Sequence, residues 1–176
     1  MPTNIEIKAR VDSLQKLFPV VASLANAGPE HVVQDDTFFS CPDGRLKLRV
    51  PRDGHGVLIH YRRADELGPK PSYCVHSETS DPDGLRSVLA DAYGEVGRVR
   101  KHRTVFRIGQ TRVHLDLVDG LGEFLELEVT VGDTLESDAA VSEAHRLLAA
   151  FGIEDAALVK GAYLDLLDAA GATQVR

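Results

Sequence analysis

Charged side chains recur at every second position in five stretches of this 176-residue sequence. That spacing puts them on one face of a β-strand. Asn4, Glu6, Lys8 and Arg10 alternate with Ile5, Ile7 and Ala9, and Arg45, Lys47 and Arg49 alternate with Leu46, Leu48 and Val50. Lys101 and Arg103 share a parity, with Arg107 further along. Arg112, His114 and Asp116 stand opposite Val113, Leu115 and Leu117, and Glu126 and Glu128 stand opposite Leu125, Leu127 and Val129. Carboxylates such as Glu6, Asp116, Glu126 and Glu128 are hard oxygen donors of the kind that Mg²⁺ or Mn²⁺ takes. Lys8, Lys47, Arg49, Arg62, Lys101 and Arg103 suit phosphate oxygens, the arginines in bidentate fashion. Acid and base on one surface are what a metal-bound polyphosphate needs. No GxxxxGK[ST], GxGxxG or HExxH occurs, which removes P-loop NTPase and zincin chemistry.

Two placements of these charges are open. In an ordinary antiparallel sheet they form the solvated face over an apolar core. In the inverted arrangement the apolar faces pack outward against helices and the charges line an interior, which is tolerable only if opposite charges and ligands pair them. The helices that need covering are predicted over residues 13–27, about 81–93 and 137–151, with a short one over 162–170. Gly28-Pro29 and Gly152 read as stops. The strands are predicted over 4–11, 31–40, 45–50, 56–63, 72–78, 97–108, 111–118 and 122–131, mostly as hairpins. Eight such strands suit a closed barrel in an α+β fold.

The length fits one domain spanning 1–176. The net charge of −7, from 20 Lys+Arg and 27 Asp+Glu, argues against nucleic acid and acidic membranes as partners. A local basic pocket for a small anion remains compatible with it. No apolar run is long enough for a membrane helix, and the start MPTNIEIKAR has no apolar signal core. Cys41 and Cys74 form no metal-binding spacing, so we read them as reduced thiols of a cytoplasmic protein. His114 is read mainly as a hydrogen-bonded barrel liner, His102 as packing on the opposite face, and Tyr61 and Phe39 as core or rim. Asp35 or Asp36 is a candidate to orient a basic liner.

The segments Asn4-Ile5-Glu6-Ile7-Lys8, Gln34 to Phe39, Gly44 to Arg49, Lys101-His102-Arg103, Val113 to Asp116, Gly120 to Glu128 and Tyr163 to Leu167 resemble, in order, the signature pieces of the CYTH superfamily, the triphosphate tunnel metalloenzymes. The first is similar to that superfamily's ExExK, with Asn4 in place of the first Glu. The last is similar to S-Y-x-x-L-L, with Ala162 in place of Ser. Within the superfamily, Arg100 to Glu128 is most similar to the class IV adenylate cyclase branch. The resemblance implies an eight-stranded antiparallel barrel with flanking helices whose tunnel binds a triphosphate. It implies Mg²⁺ or Mn²⁺ held by Glu6, Glu126 and Glu128 with Asp116 beside them. Phosphate contacts would come from Lys8, Lys47, Arg49, Arg62, Lys101 and Arg103, of which Lys8, Lys101 and Arg103 would be catalytic. A one-residue slip would exchange Arg62 for Arg63. The implied substrates are ATP, inorganic triphosphate or thiamine triphosphate, turned over by cyclisation or hydrolysis. A binding module weakened by Asn4 is the alternative from another class. A homodimer through an exposed edge or apolar helix face stays open.

Overall fold

The structure, a computed structural model, describes residues 3–52, 54–132 and 136–171. The elements are β1 (Thr3–Arg10), α1 (Leu14–Leu24), β2 (Ala27–Phe39), β3 (Arg45–Pro51), β4 (Gly56–Arg63), β5 (Lys70–Thr79), α2 (Pro82–Tyr93), β6 (Glu95–Ile108), β7 (Thr111–Val118), β8 (Gly122–Val131), α3 (Ser137–Ala150) and α4 (Tyr163–Ala169), with a 3₁₀ turn over Asp155–Ala157. The strands close into a barrel in the order β1-β5-β4-β3-β2-β6-β7-β8. Every pairing is antiparallel. Closure leaves the barrel sheet without a free edge, one of the two surfaces left open for a homodimer.

The sheet is inverted, as the second placement required. Ile5, Ile7, Phe106, Val113, Leu115, Leu125, Leu127 and Val129 turn outward and are covered by Leu17 and Val21 of α1 and by Ala140, Ala144, Leu147 and Leu148 of α3. Phe38, Val99, Val118 and Phe124 pack against Tyr163, Leu164 and Leu167 of α4. Phe39 and Leu48 pack against Leu89 of α2. Most of the core is therefore a shell between barrel and helices, whereas Phe38, Val99, Val118 and Phe124 share the inward parity of Asp36, Lys101, Asp116 and Glu126 and meet α4 at one end of the barrel interior. Ser13 caps α1 by accepting from the Lys16 amide, and Asp81 caps α2 by accepting from the Gly84 amide, which fixes where two of these covering helices start.

Three strands are longer than their alternating cores predicted. β2 begins at Ala27 rather than His31, passing an irregularity between Ala27 and Glu30. Gly28-Pro29 therefore lies in a strand, beyond the end of α1 at Leu24. β6 begins at Glu95 and β5 at Lys70. Barrel closure supplies a neighbour on both sides of each strand, so flanks without alternation still find backbone partners.

Candidate active site

The barrel encloses a cavity of about 620 Å³. Eight Lys and Arg side chains line it against five Asp and Glu. This cationic excess lies inside a chain whose net charge is −7. Register decides the arrangement. Glu6 stands opposite Glu128, and Lys8 opposite Glu126, across β1 and β8. His114 faces Glu126 and Arg112 faces Glu128 across β7 and β8, and Arg103 faces Asp116 across β6 and β7.

The basic groups come in two kinds. Some are held by carboxylates. Asp36 on β2 takes Lys47 at 2.8 Å and both nitrogens of an Arg49 fork at 2.7 Å. Burial pushes the Asp36 carboxyl up, yet Lys47 and Arg49 hold it well below the usual carboxylate range. Arg103 donates two 2.6 Å bonds to Asp116 and one of 2.7 Å to Glu126. Arg63 pairs with Glu6, lies 3.6 Å from Glu126, and donates to the Gly161 carbonyl at 3.0 Å. The others are buried ammonium groups with little counter-charge. Lys8 lies 3.7 Å from Glu126. Burial pushes its pKa down to about 8, against the pull of Glu126. Lys101 makes no ion pair among the described residues, and burial followed by the nearby Arg103 charge depresses it further below the usual lysine value. Both ammonium groups sit over the ring of Tyr163, at 3.9 Å for Lys8 and 5.1 Å for Lys101. Cations buried without full compensation are costly, and a polyanion entering the cavity would supply what they lack.

Glu6, Glu126 and Glu128 form an acidic strip on neighbouring strands beside these cations. Among the described residues, no group of three or more His, Cys, Asp and Glu side chains already stands at ion-holding geometry. Their oxygens are taken instead: Glu6 by Arg63, Glu126 by Arg103 and Lys8, Glu128 by Arg112 and the Asn4 amide. The donor set fits a divalent ion by type, since carboxylate oxygens are what Mg²⁺ and Mn²⁺ take. It also fits by adjacency, since like charges directly opposed in an antiparallel pair repel unless a cation bridges them.

Glu6, Lys8, Lys47, Arg49, Lys101, Arg103, Glu126 and Glu128 are all brought to this one cavity. Two candidates are placed elsewhere. Arg62 points outward, half exposed, 3.4 Å from Asp43 and over the Tyr73 ring, and the cavity receives Arg63 instead. On β4 the inward residues include Ile59 and Tyr61, so the rule that charges face inward misleads there. Asp116 is fully buried behind Arg103, which together with the Tyr163 hydroxyl occupies its oxygens. It braces a guanidinium, with no oxygen offered to the cavity. Asn4 is 7% exposed and bonded to Glu128, which places it in the wall rather than at a frayed strand end. Of the two candidate orienting aspartates, Asp36 is inside and Asp35 holds Arg98 and Arg100 on the outer surface. Tyr163 and Arg112 were given no site role by the residue pattern, and Arg63 entered only as the alternative to Arg62. The one-residue slip that exchanges Arg62 for Arg63 is the sequence signal that points to Arg63. Tyr163 comes from a helix and carries no strand-period signal.

A closed antiparallel barrel with an ion-paired, net-positive interior and a strip of carboxylates defines a tunnel-type barrel protein. The CYTH domain profile matches residues 2–163, and the chain belongs to the CYTH family. CYTH proteins are typically enzymes and generally use divalent metals. MJ0240 of Methanocaldococcus jannaschii is 25% identical over 171 residues, covering 93% of this chain and 97% of that protein. The solved structure of PH1012 from Pyrococcus horikoshii superposes with a TM-score of 0.82 at 20% identity, covering 93% and 98% of the two chains. HpAC1 from Hippeastrum superposes at 0.68 with 17% identity, covering 99% and 98%. No helix among the described residues is long and apolar enough to cross a membrane.

Proposed function

We propose that this protein is a divalent-metal-dependent enzyme that binds the triphosphate of ATP inside the barrel and forms cyclic AMP and pyrophosphate. The convergence of eight cations on an enclosed cavity that holds only five carboxylates carries this reading. The name of MJ0240, provisionally an adenylate cyclase, supports the choice of reaction. In the reaction the ribose 3′-hydroxyl attacks the α-phosphorus in line, a new P–O bond forms, the bond from the α-phosphorus to the α–β bridging oxygen breaks, and the hydroxyl proton is released to water as pyrophosphate leaves. Mg²⁺ or Mn²⁺, held by Glu6, Glu126 and Glu128, would acidify the attacking hydroxyl and offset phosphate charge.

The chain's own part is positioning and charge neutralisation. Lys47 and Arg49, fixed by Asp36, form one basic bank on β3. Lys8, Lys101 and Arg103 form another, at the end of the cavity that Tyr163 lines. Held from two sides, the phosphates are kept in line while negative charge builds on the leaving pyrophosphate. Arg63 and Arg112, which occupy Glu6 and Glu128 in this structure, would pair with phosphate oxygens when those carboxylates hold the ion.

A second reading is hydrolysis of inorganic, thiamine or nucleoside triphosphate. HpAC1, described as an adenylyl cyclase candidate with a dominant triphosphatase activity, favours it. The same residues serve both, because the two reactions differ in which oxygen attacks which phosphorus. Incubation with ATP, inorganic triphosphate and thiamine triphosphate, each with Mg²⁺ or Mn²⁺, separates them. Cyclic AMP with equimolar pyrophosphate supports the cyclase. Orthophosphate without cyclic AMP supports the hydrolase. Triphosphate binding without any product leaves a binding module.

A further inference from the structure

Tyr163 is the first residue of α4, and its surroundings hold it tightly. Asp165 caps the helix by accepting from the Ala162 amide at 2.6 Å and is itself held by Arg45 at 2.6 Å. Gly161, at a φ of +81° that suits glycine, turns the chain into the helix while its carbonyl accepts from Arg63. The Tyr163 ring packs edge-on against Phe124 at 5.0 Å. Its hydroxyl donates to Asp116 at 2.6 Å, the carboxylate that grips Arg103. Its face lies under the ammonium groups of Lys8 and Lys101.

We propose that Tyr163 is a positioning residue for the phosphate-binding cations: its ring seats Lys8 and Lys101, and its hydroxyl, through Asp116, sets Arg103. This rests on the triphosphate reading of the tunnel. A carboxylate in the same place would also attract the two lysines, but it would neutralise them and take their N–H groups. An aromatic face attracts an ammonium through its quadrupole, most strongly when water is excluded. It leaves the charge uncancelled and the outward N–H directions open to phosphate oxygens. The hydroxyl performs the complementary task for Arg103, occupying an Asp116 oxygen so that the fork has one resting geometry. A single side chain thereby sets three of the cavity's cations, which come from β1 and β6.

The test uses the full chain and inorganic triphosphate with Mg²⁺ as the probe. Calorimetry is run on the wild type, Tyr163→Phe and Tyr163→Leu, together with ¹³C NMR of labelled lysine side chains. The expected result is a roughly tenfold weaker dissociation constant for Tyr163→Phe, which loses one hydrogen bond to a charged group. Tyr163→Leu, which also loses both ring contacts, should be about a hundredfold weaker. Two lysine ε-methylene signals should be ring-shifted in the wild type and in Tyr163→Phe, and should move to ordinary values in Tyr163→Leu. A Tyr163→Leu protein that folds, melts lower and binds triphosphate with wild-type affinity would show a purely structural role and overturn the proposal. If Tyr163→Leu does not fold, the other two proteins decide: unshifted lysine signals in the wild type, or wild-type affinity in Tyr163→Phe, overturn it. A wild type that binds no triphosphate overturns the function reading and this role with it. That outcome is recognisable because the shifted lysine signals persist without ligand.

Discussion

Glu6 and Glu128 face each other directly across β1 and β8 on the inner wall of the barrel. Arg63 and Arg112 bond them from opposite sides, and the Asn4 amide completes the set. On the proposed metal-dependent reading, a divalent ion would take the place of these three donors between the two carboxylates. Glu128→Gln should therefore weaken Mn²⁺ binding at least tenfold by calorimetry. Stability without added metal should change by less than about 1 kcal/mol, because relief of like-charge repulsion offsets the weaker bond to Arg112. An unchanged Mn²⁺ affinity would move the ion site away from this pair.

Neighbouring arginines separate the two faces of β4. Arg62 is half exposed with Asp43 as its one ion-pair partner among the described residues, whereas Arg63 is buried against Glu6, Glu126 and the Gly161 carbonyl. Arg62→Ala should leave chemical-denaturation stability within about 0.5 kcal/mol of the parent and leave triphosphate affinity unchanged. Arg63→Ala strands Glu6, since Glu126 keeps Arg103 and Lys8, and should cost about 3 kcal/mol. Equal effects from the two variants would contradict the register of β4.

Asp36 sets the acid limb of stability. Its folded pKa lies well below the unfolded value because Lys47 and Arg49 outweigh the opposing effect of burial. The stability it contributes is fully present above the unfolded pKa of about 4 and is lost as pH falls through the folded pKa. Urea midpoints measured from pH 7 to pH 3 should fall for the parent. Asp36→Asn should start lower by about 3 kcal/mol, since it leaves two cations unpaired, and its profile should be flatter over that range.

Lys101 contributes with the opposite sign. Burial, then the Arg103 charge, depresses its pKa, so below the folded pKa the buried ammonium subtracts from stability. The penalty is relieved as pH rises through the folded pKa toward the unfolded value of about 10.4. Lys101→Met should raise the melting temperature at pH 7 by a few degrees, abolish this alkaline gain, and weaken triphosphate binding at least tenfold. A melting temperature that falls, with affinity retained, would mean the ammonium is compensated in the fold and unused by the ligand.

The architecture and much of the site were legible in the residue pattern, for an identifiable reason. A strand's side-chain period is two whatever surrounds it, so alternation alone grouped Lys47 with Arg49, Lys101 with Arg103, and Glu126 with Glu128. Helix stops and strand parity then listed what a barrel would need. Pattern could not say which face of the sheet was inside, because an inner charged face and a solvated one share the same period. It also failed on β4, where Ile59 and Tyr61 line the cavity and Arg62 does not.

The sequence by itself determined eight strands, their two-faced chemistry, and an inventory of carboxylates and cations suited to a metal-bound polyphosphate. Only the tertiary structure decided that closure turns those charges inward, that Arg63 rather than Arg62 enters the cavity, that Asp116 braces Arg103, and that Tyr163 from a distant helix seats Lys8 and Lys101. The physical reason is range. Side-chain parity is a property of neighbouring residues, whereas register, ion-pair partners and burial are set by segments up to 155 positions apart, as with Lys8 and Tyr163, that meet when the barrel closes.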